Sequence, residues 1–179
     1  MNIKFPVLLI LCASATFTLN VQAADLNTLK VALKFRADMA TAVSTNQETV
    51  ESALQRLKDS GTASGLTVSR DADFAQAAFD VGLRLMAADK PAAAELFFRA
   101  AEPTLEQVAN QTPVTQAREK AQYLQKLAML RGKYLNKAAQ ARDNMDAAVQ
   151  LQPDDKSMVE VRAQLARGHG DTFKATDKK

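Results

Sequence analysis

The residue types able to do chemistry are few and scattered. The chain of 179 residues holds one histidine, His169, and one cysteine, Cys12. A general base needs a rigid setting within reach of its proton, and His169 lies between Gly168 and Gly170 near the C-terminus, so it is not read as catalytic. A lone Cys excludes a disulfide framework within one chain and any multi-thiolate metal site, and a lone His excludes two- or three-His metal sites. Glycines are too dispersed for a phosphate-cradling loop. Paired carboxylates remain at Asp71-Ala72-Asp73 and Asp154-Asp155. Both pairs open helical stretches, where acidic groups meet the positive end of the helix dipole. Asp143 and Asp146 share a helical face near Arg142 and read as solvated charge. The inventory predicts no catalysis, no cofactor and no metal.

Binding is the better-supported chemistry. Lys126, Lys133 and Lys137 recur at helical spacing with Arg131 nearby, and residues 113–167 carry ten basic against six acidic side chains. Such a strip either takes an anionic small molecule or polymer or is simply a solvated face. Nucleic acid is not expected, because no aromatic residues interleave with the basic ones and export would remove the usual target.

Export is expected from the first 23 residues. Lys4 supplies a positive start, Val7 to Ala13 opens an apolar stretch reaching about Leu19, and Val21-Gln22-Ala23 offers small side chains for cleavage before Ala24. Ser14, Thr16, Thr18 and Asn20 dilute the run below the roughly 18 to 20 residues of a membrane span. The expectation is a cleaved signal peptide over 1–23, an all-helical domain over 24–167 and a flexible tail over 168–179. Cleavage would remove Cys12 and Lys4, leaving 22 basic against 20 acidic residues, no thiol and no membrane span. The product would be periplasmic or secreted and held together by its core alone.

The elements that must position any site are all helical. Leu26, Leu29, Leu33, Ala40 and Val43 draw one apolar stripe. Thr45-Asn46-Gln47-Glu48 reads as a capping box opening a second helix through Val50, Ala53, Leu54 and Leu57, stopped by Asp59-Ser60-Gly61. Asp71 is the expected N-cap of a third helix through Phe74, Ala78, Val81 and Leu85. Asp89-Lys90-Pro91 breaks that helix, and Pro91 opens the next, which carries Ala94, Phe97, Phe98 and Ala101. Pro103 and then Asn110 to Pro113 are expected to bracket a separate short helical piece. Thr112-Pro113 caps a helix through Ala117, Ala121, Leu124, Leu127 and Leu130, interrupted at Gly132. A further helix runs to Leu151 before Pro153. The last begins at Asp154-Asp155, carries Met158, Val161 and Leu165, and is stopped by Gly168-His169-Gly170.

Within these helices Phe79-Asp80-Val81-Gly82-Leu83-Arg84-Leu85 is followed, one turn later, by Ala94, Phe98 and Ala101. This pattern resembles a tetratricopeptide repeat. A fainter copy lies at Ala141, Met145, Ala148 and Pro153, preceded by Tyr123 to Tyr134, with a few extra residues needed to stay in phase. From Ala94 to Ala141 is 47 residues, against a family period of about 34. In this reading Gly82 and Ala94 let two helix backbones approach, Phe98 fills the wedge beneath them, and Ala101 admits the next helix.

The resemblance implies antiparallel hairpins stacked as a short right-handed solenoid, with the hairpin 26–57 and the helix around Met158–Leu165 as caps. It implies a protein or peptide partner in the cell envelope, bound on the concave face at Gln76, Phe79, Leu83 and Met86. Apart from Gln76, those positions are apolar where family members that clamp a chain-terminal carboxylate carry Lys and Asn. The face is therefore either a groove for a hydrophobic segment or is filled by the protein's own N-terminal hairpin.

Overall fold

The computed structural model describes residues 26–60 and 70–176, with side chains over 29–60 and 71–167. The expected signal peptide, the connector 61–69 and the last three residues lie outside the described residues. Among the described residues seven α-helices follow one another: α1 (Leu26–Ser44), α2 (Val50–Asp59), α3 (Arg70–Ala87), α4 (Pro91–Gln111), α5 (Ala117–Met129), α6 (Ala138–Leu151) and α7 (Lys156–Thr176). The chain is all-α over these residues, as the helical periodicity predicts. Among them no helix is long and apolar enough to cross a membrane.

Three of the stops share one device. Asn46, Asp89 and Asn136 adopt left-handed φ values of 59°, 58° and 53°. In that conformation the chain folds back on its own helix: the amides of Gln47, Lys90 and Lys137 reach the carbonyls of Ala42, Leu85 and Arg131 at 2.8, 2.9 and 2.8 Å. Asn and Asp accept this backbone better than other side chains, so they replace the usual glycine. After Asp89 the chain needs only Lys90 before Pro91 starts α4.

Other ends fall elsewhere than expected. The cap of α2 is Thr49, whose hydroxyl accepts from the Ser52 amide at 3.2 Å. Thr45, four residues earlier, instead donates to the Thr41 carbonyl at the end of α1, at 2.8 Å. Glu48 still serves α2, accepting from Ser52 Oγ and from Arg56. Asp71 lies inside the first turn of α3 rather than at its cap. Thr112 ends α4, donating to the Val108 carbonyl at 2.7 Å, and a 3-10 turn at Val114–Gln116 precedes α5. Asp155 does cap α7, its carboxylate accepting from the amides of Ser157 and Met158. Gly168-His169-Gly170 does not stop that helix, whose backbone continues to Thr176.

The largest departure is Pro103, which sits inside α4 rather than ending it. An interior proline loses the bond to the carbonyl four residues back and costs about 3 kcal/mol. Here the proline and Arg99, which owns that carbonyl, are both exposed, so water can satisfy the freed oxygen. Phe97, Phe98 and Ala101 before it and Leu105, Val108 and Ala109 after it form one buried stripe. Burial of several large apolar side chains, at about 1.5–3 kcal/mol each, outweighs one broken bond.

Two antiparallel pairs are the most extensively packed: α3 against α4, and α5 against α6. The α4–α5 contact joins the pairs, α1 lies chiefly on α3, and α7 lies on α6. One apolar cluster gathers Met39, Val43, Leu57, Val81, Leu85, Phe97 and Phe98; a second gathers Leu105, Tyr123, Leu124, Leu127, Met145, Met158 and Leu165. In α1 the buried stripe runs through Ala32, Arg36, Met39, Ala40 and Val43, leaving Leu33 on the exposed side.

Candidate binding face

The expected partner face lies along α3, and the structure divides it. Gly82 faces Phe98 so closely that a Cβ there would stand 2.5 Å from the ring. This close approach is what brings α3 and α4 together. Ala94 and Ala101 are fully buried in α4, with Phe98 between them. Phe98 stacks on Tyr134, with ring centroids 4.3 Å apart, and Phe79 closes the cluster at 5.8 Å from Phe98 and 6.4 Å from Tyr134. Phe79 is thus a core side chain, 6% exposed, and offers a partner no surface. Its register on α3 is the expected one; its direction is set by Tyr134, which no α3 pattern reveals.

Leu83 is half-buried and Met86 is 39% exposed. Gln76 is half-buried and tied into a polar chain. Its amide nitrogen donates to Asp80 at 3.0 Å, its oxygen accepts from Lys126 of α5, and Asp80 in turn accepts from Arg36 of α1. Arg36 is 4% exposed. This chain crosses three helices, so α1 is held on α3 by charge as well as by Met39 and Val43. Burial pulls the Lys126 ammonium down to about 8, with Asp80 opposing and Arg36 adding to the depression.

The expected basic strip does not form. Lys126 points at Gln76 on α3. Lys137 lies just before α6 and donates to both carboxylate oxygens of Glu102, at 2.7 and 2.8 Å. Arg131, between them, is buried and donates to the same carboxylate at 2.8 Å, while its other arm meets Glu106 at 2.8 Å. Only Lys133 of the three lysines stands exposed without an assigned contact. Spacing by three and four residues assumes an uninterrupted α-helix, and a π-turn at Leu130–Tyr134 rotates everything after it.

Glu102 escaped the sequence reading, although a signal existed. It sits on the apolar stripe between Phe98, Ala101 and Leu105, where a carboxylate must find partners or be driven neutral. Burial alone would raise its pKa, but the bonds from Lys137 and Arg131 hold it below the ordinary 4.5. Burial likewise opposes the Arg131 charge, and Glu106 and Glu102 more than offset it. Arg36 carries the same signal, a charge on the buried stripe of α1.

The second helix pair has its own close approach. A Cβ at Gly132 would stand 3.2 Å from that of Ala141 and 2.7 Å from Leu165 Cδ2. Ala141, Met145 and Ala148 are fully buried, and Pro153 is exposed in the turn before α7. Among the described residues no group of three or more His, Cys, Asp or Glu is placed to hold a metal ion. Compared with known proteins, the chain matches no family model, and no curated protein or solved structure gives a significant match to it.

Proposed function

We propose that this chain is a non-catalytic, exported scaffold of the tetratricopeptide type that binds another protein of the cell envelope. The observation that carries the reading is a close glycine approach in both helix pairs: Gly82 of α3 lies against Phe98 of α4, and Gly132, in the π-turn between α5 and α6, lies against Ala141 of α6 and Leu165 of α7. Helices α1 and α7 flank the two pairs and serve as caps in a short right-handed stack. Repeats of this build bind through the face of their first helices. With Phe79 buried, the residues of that face left to a partner are half-buried Leu83 and Met86, which is 39% exposed. The leader over 1–23 and the absence of a thiol after its cleavage fit an extracytoplasmic site. The pairing of Lys137 with Glu102 argues against an anion-binding strip.

Site-specific photocrosslinking in the producing cell tests this. A photoreactive residue at Met86 should give a discrete adduct, whereas one at Leu96, exposed on α4, should give none. Equal labelling from both positions would refute the face. The same purified protein should begin at Ala24, read by intact mass; an intact leader would refute export.

A further inference from the structure

We propose that the π-turn at Leu130–Tyr134 is an acid-released latch on the α3/α4 seam: Glu102 holds it shut, and protonation of Glu102 lets Tyr134 swing off Phe98 and Phe79. Three residues of the turn carry the connection. Arg131 donates to Glu102 and meets Glu106, both on α4. Gly132 closes on Ala141 and Leu165. Tyr134 stacks on Phe98 and meets Phe79 edge-on, with ring centroids 4.3 and 6.4 Å apart. Just after the turn, the Lys137 amide returns to the Arg131 carbonyl at 2.8 Å while its ammonium grips the Glu102 carboxylate. Residues 131–137 thus close on themselves and are fastened to α4 by charge, chiefly through Glu102.

A π-turn is a rare backbone form, so this one depends on the contacts that hold it. Burial works to raise the Glu102 pKa; Lys137 and Arg131, the charged groups that act on it among the described residues, overcome burial and hold it below 4.5. Once protonated, Glu102 no longer offsets the charge of the buried Arg131, which keeps only Glu106. The Glu106 side chain is 47% exposed, so the guanidinium follows it toward water and draws the turn along. Tyr134 is half-buried and has its own path to water, whereas Leu130 is fully buried and serves as the pivot. Opening uncovers Phe79, the position that the closed α3 face lacks. Its use by a partner rests on the function proposed above; the opening itself does not.

NMR of the aromatic rings in the full mature chain, with far-UV circular dichroism reporting helix content, tests the latch. On acidification from pH 7 the Tyr134, Phe98 and Phe79 signals should move toward unstacked positions, with a midpoint below 4.5, before helix content falls. The Tyr123 ring, in the second cluster, should stay in place. Glu102→Gln, neutral at every pH, should show the moved signals at pH 7 and no acid step of its own. Lys137→Met removes a partly exposed partner and should raise the midpoint; it decides the matter if Glu102→Gln does not fold. Ring signals that hold until helix content is lost, a wild-type acid step in Glu102→Gln or an unshifted midpoint in Lys137→Met would overturn the proposal. A discrete Met86 adduct from a protein whose rings never move would leave the proposed function standing and remove the latch.

Discussion

The two helix pairs solve one packing problem with different means. In α3/α4 a regular helix brings Gly82 onto a rigid, fully buried ring, and the aromatic cluster of Phe79, Phe98 and Tyr134 fills the wedge. In α5/α6 the approach at Gly132 falls inside a π-turn, against a methyl carbon and the end of a flexible leucine. The unusual turn is fastened by charge: Arg131 within it and Lys137 just after it both hold Glu102 of α4. One pair is therefore fixed by shape and the other by a buried ion cluster. Tyr134 links them, since it belongs to the π-turn of the second pair and stacks on the ring of the first.

If that contrast is right, breaking the ion cluster should have the largest effect. Glu102→Ala leaves Arg131, 6% exposed, with only Glu106. Loss of one partner of a buried charge pair costs about 3–5 kcal/mol, and the remaining Glu106 contact places this variant near the lower end, read by urea unfolding. The pH dependence has a definite sign. A carboxylate whose folded pKa is lowered contributes stability above its unfolded value, near 4.5, and loses it as pH falls through the folded value. Wild type should therefore weaken more steeply on acidification below pH 4.5 than Glu102→Ala does.

The glycines should differ in the next rank. Gly82→Ala forces a methyl into a ring that Tyr134 prevents from moving, and overpacking of this kind costs about 1–3 kcal/mol, partly offset by the better helix propensity of Ala. Gly132→Ala meets a leucine methyl that can rotate away, so its cost should be below about 1 kcal/mol. Thermal melts of the two variants side by side check the order; a larger loss at Gly132 would reverse the contrast.

Much of this architecture is legible in the residues themselves. The all-helical content, the Asp89-Pro91 break and the acidic start of the last helix follow from period and local signals, whereas the number of helices does not, because α4 continues through Pro103 where a separate short helix is expected. What periodicity does not reveal is whatever tertiary contact overrides a local rule. Pro103 reads as a breaker because the local cost is plain, while the burial that offsets it comes from Leu105 and Val108 meeting other helices. Lys126, Lys133 and Lys137 read as one strip because the π-turn has no simple sequence mark. Phe79 reads as groove because its cover, Tyr134, arrives from 55 residues away. The two charges that matter most, Glu102 and Arg36, are marked in the sequence by their place on apolar stripes.

A separate effect concerns the polar chain that fastens α1. The Lys126 ammonium is depressed to about 8 by burial, so the folded protein gives up this proton before the unfolded chain does. Between pH 8 and 10 the unfolded state binds more protons at this site, and stability should rise with pH there. Lys126→Met should flatten that rise, measured by urea midpoints at pH 7.5, 8.5 and 9.5; an unchanged slope would place the effect elsewhere.

The account rests on glycine-seamed helix pairs as its unit of construction, and a double-mutant cycle between Gly82→Ala and Phe98→Leu tests that unit most directly. If the ring is what excludes a Cβ at position 82, the shorter leucine should relieve the clash. The double variant should then be little less stable than Phe98→Leu alone, with a coupling of about 1 kcal/mol or more. Strict additivity, within about 0.3–0.5 kcal/mol, would show that Gly82 and Phe98 do not form the seam and would contradict the account.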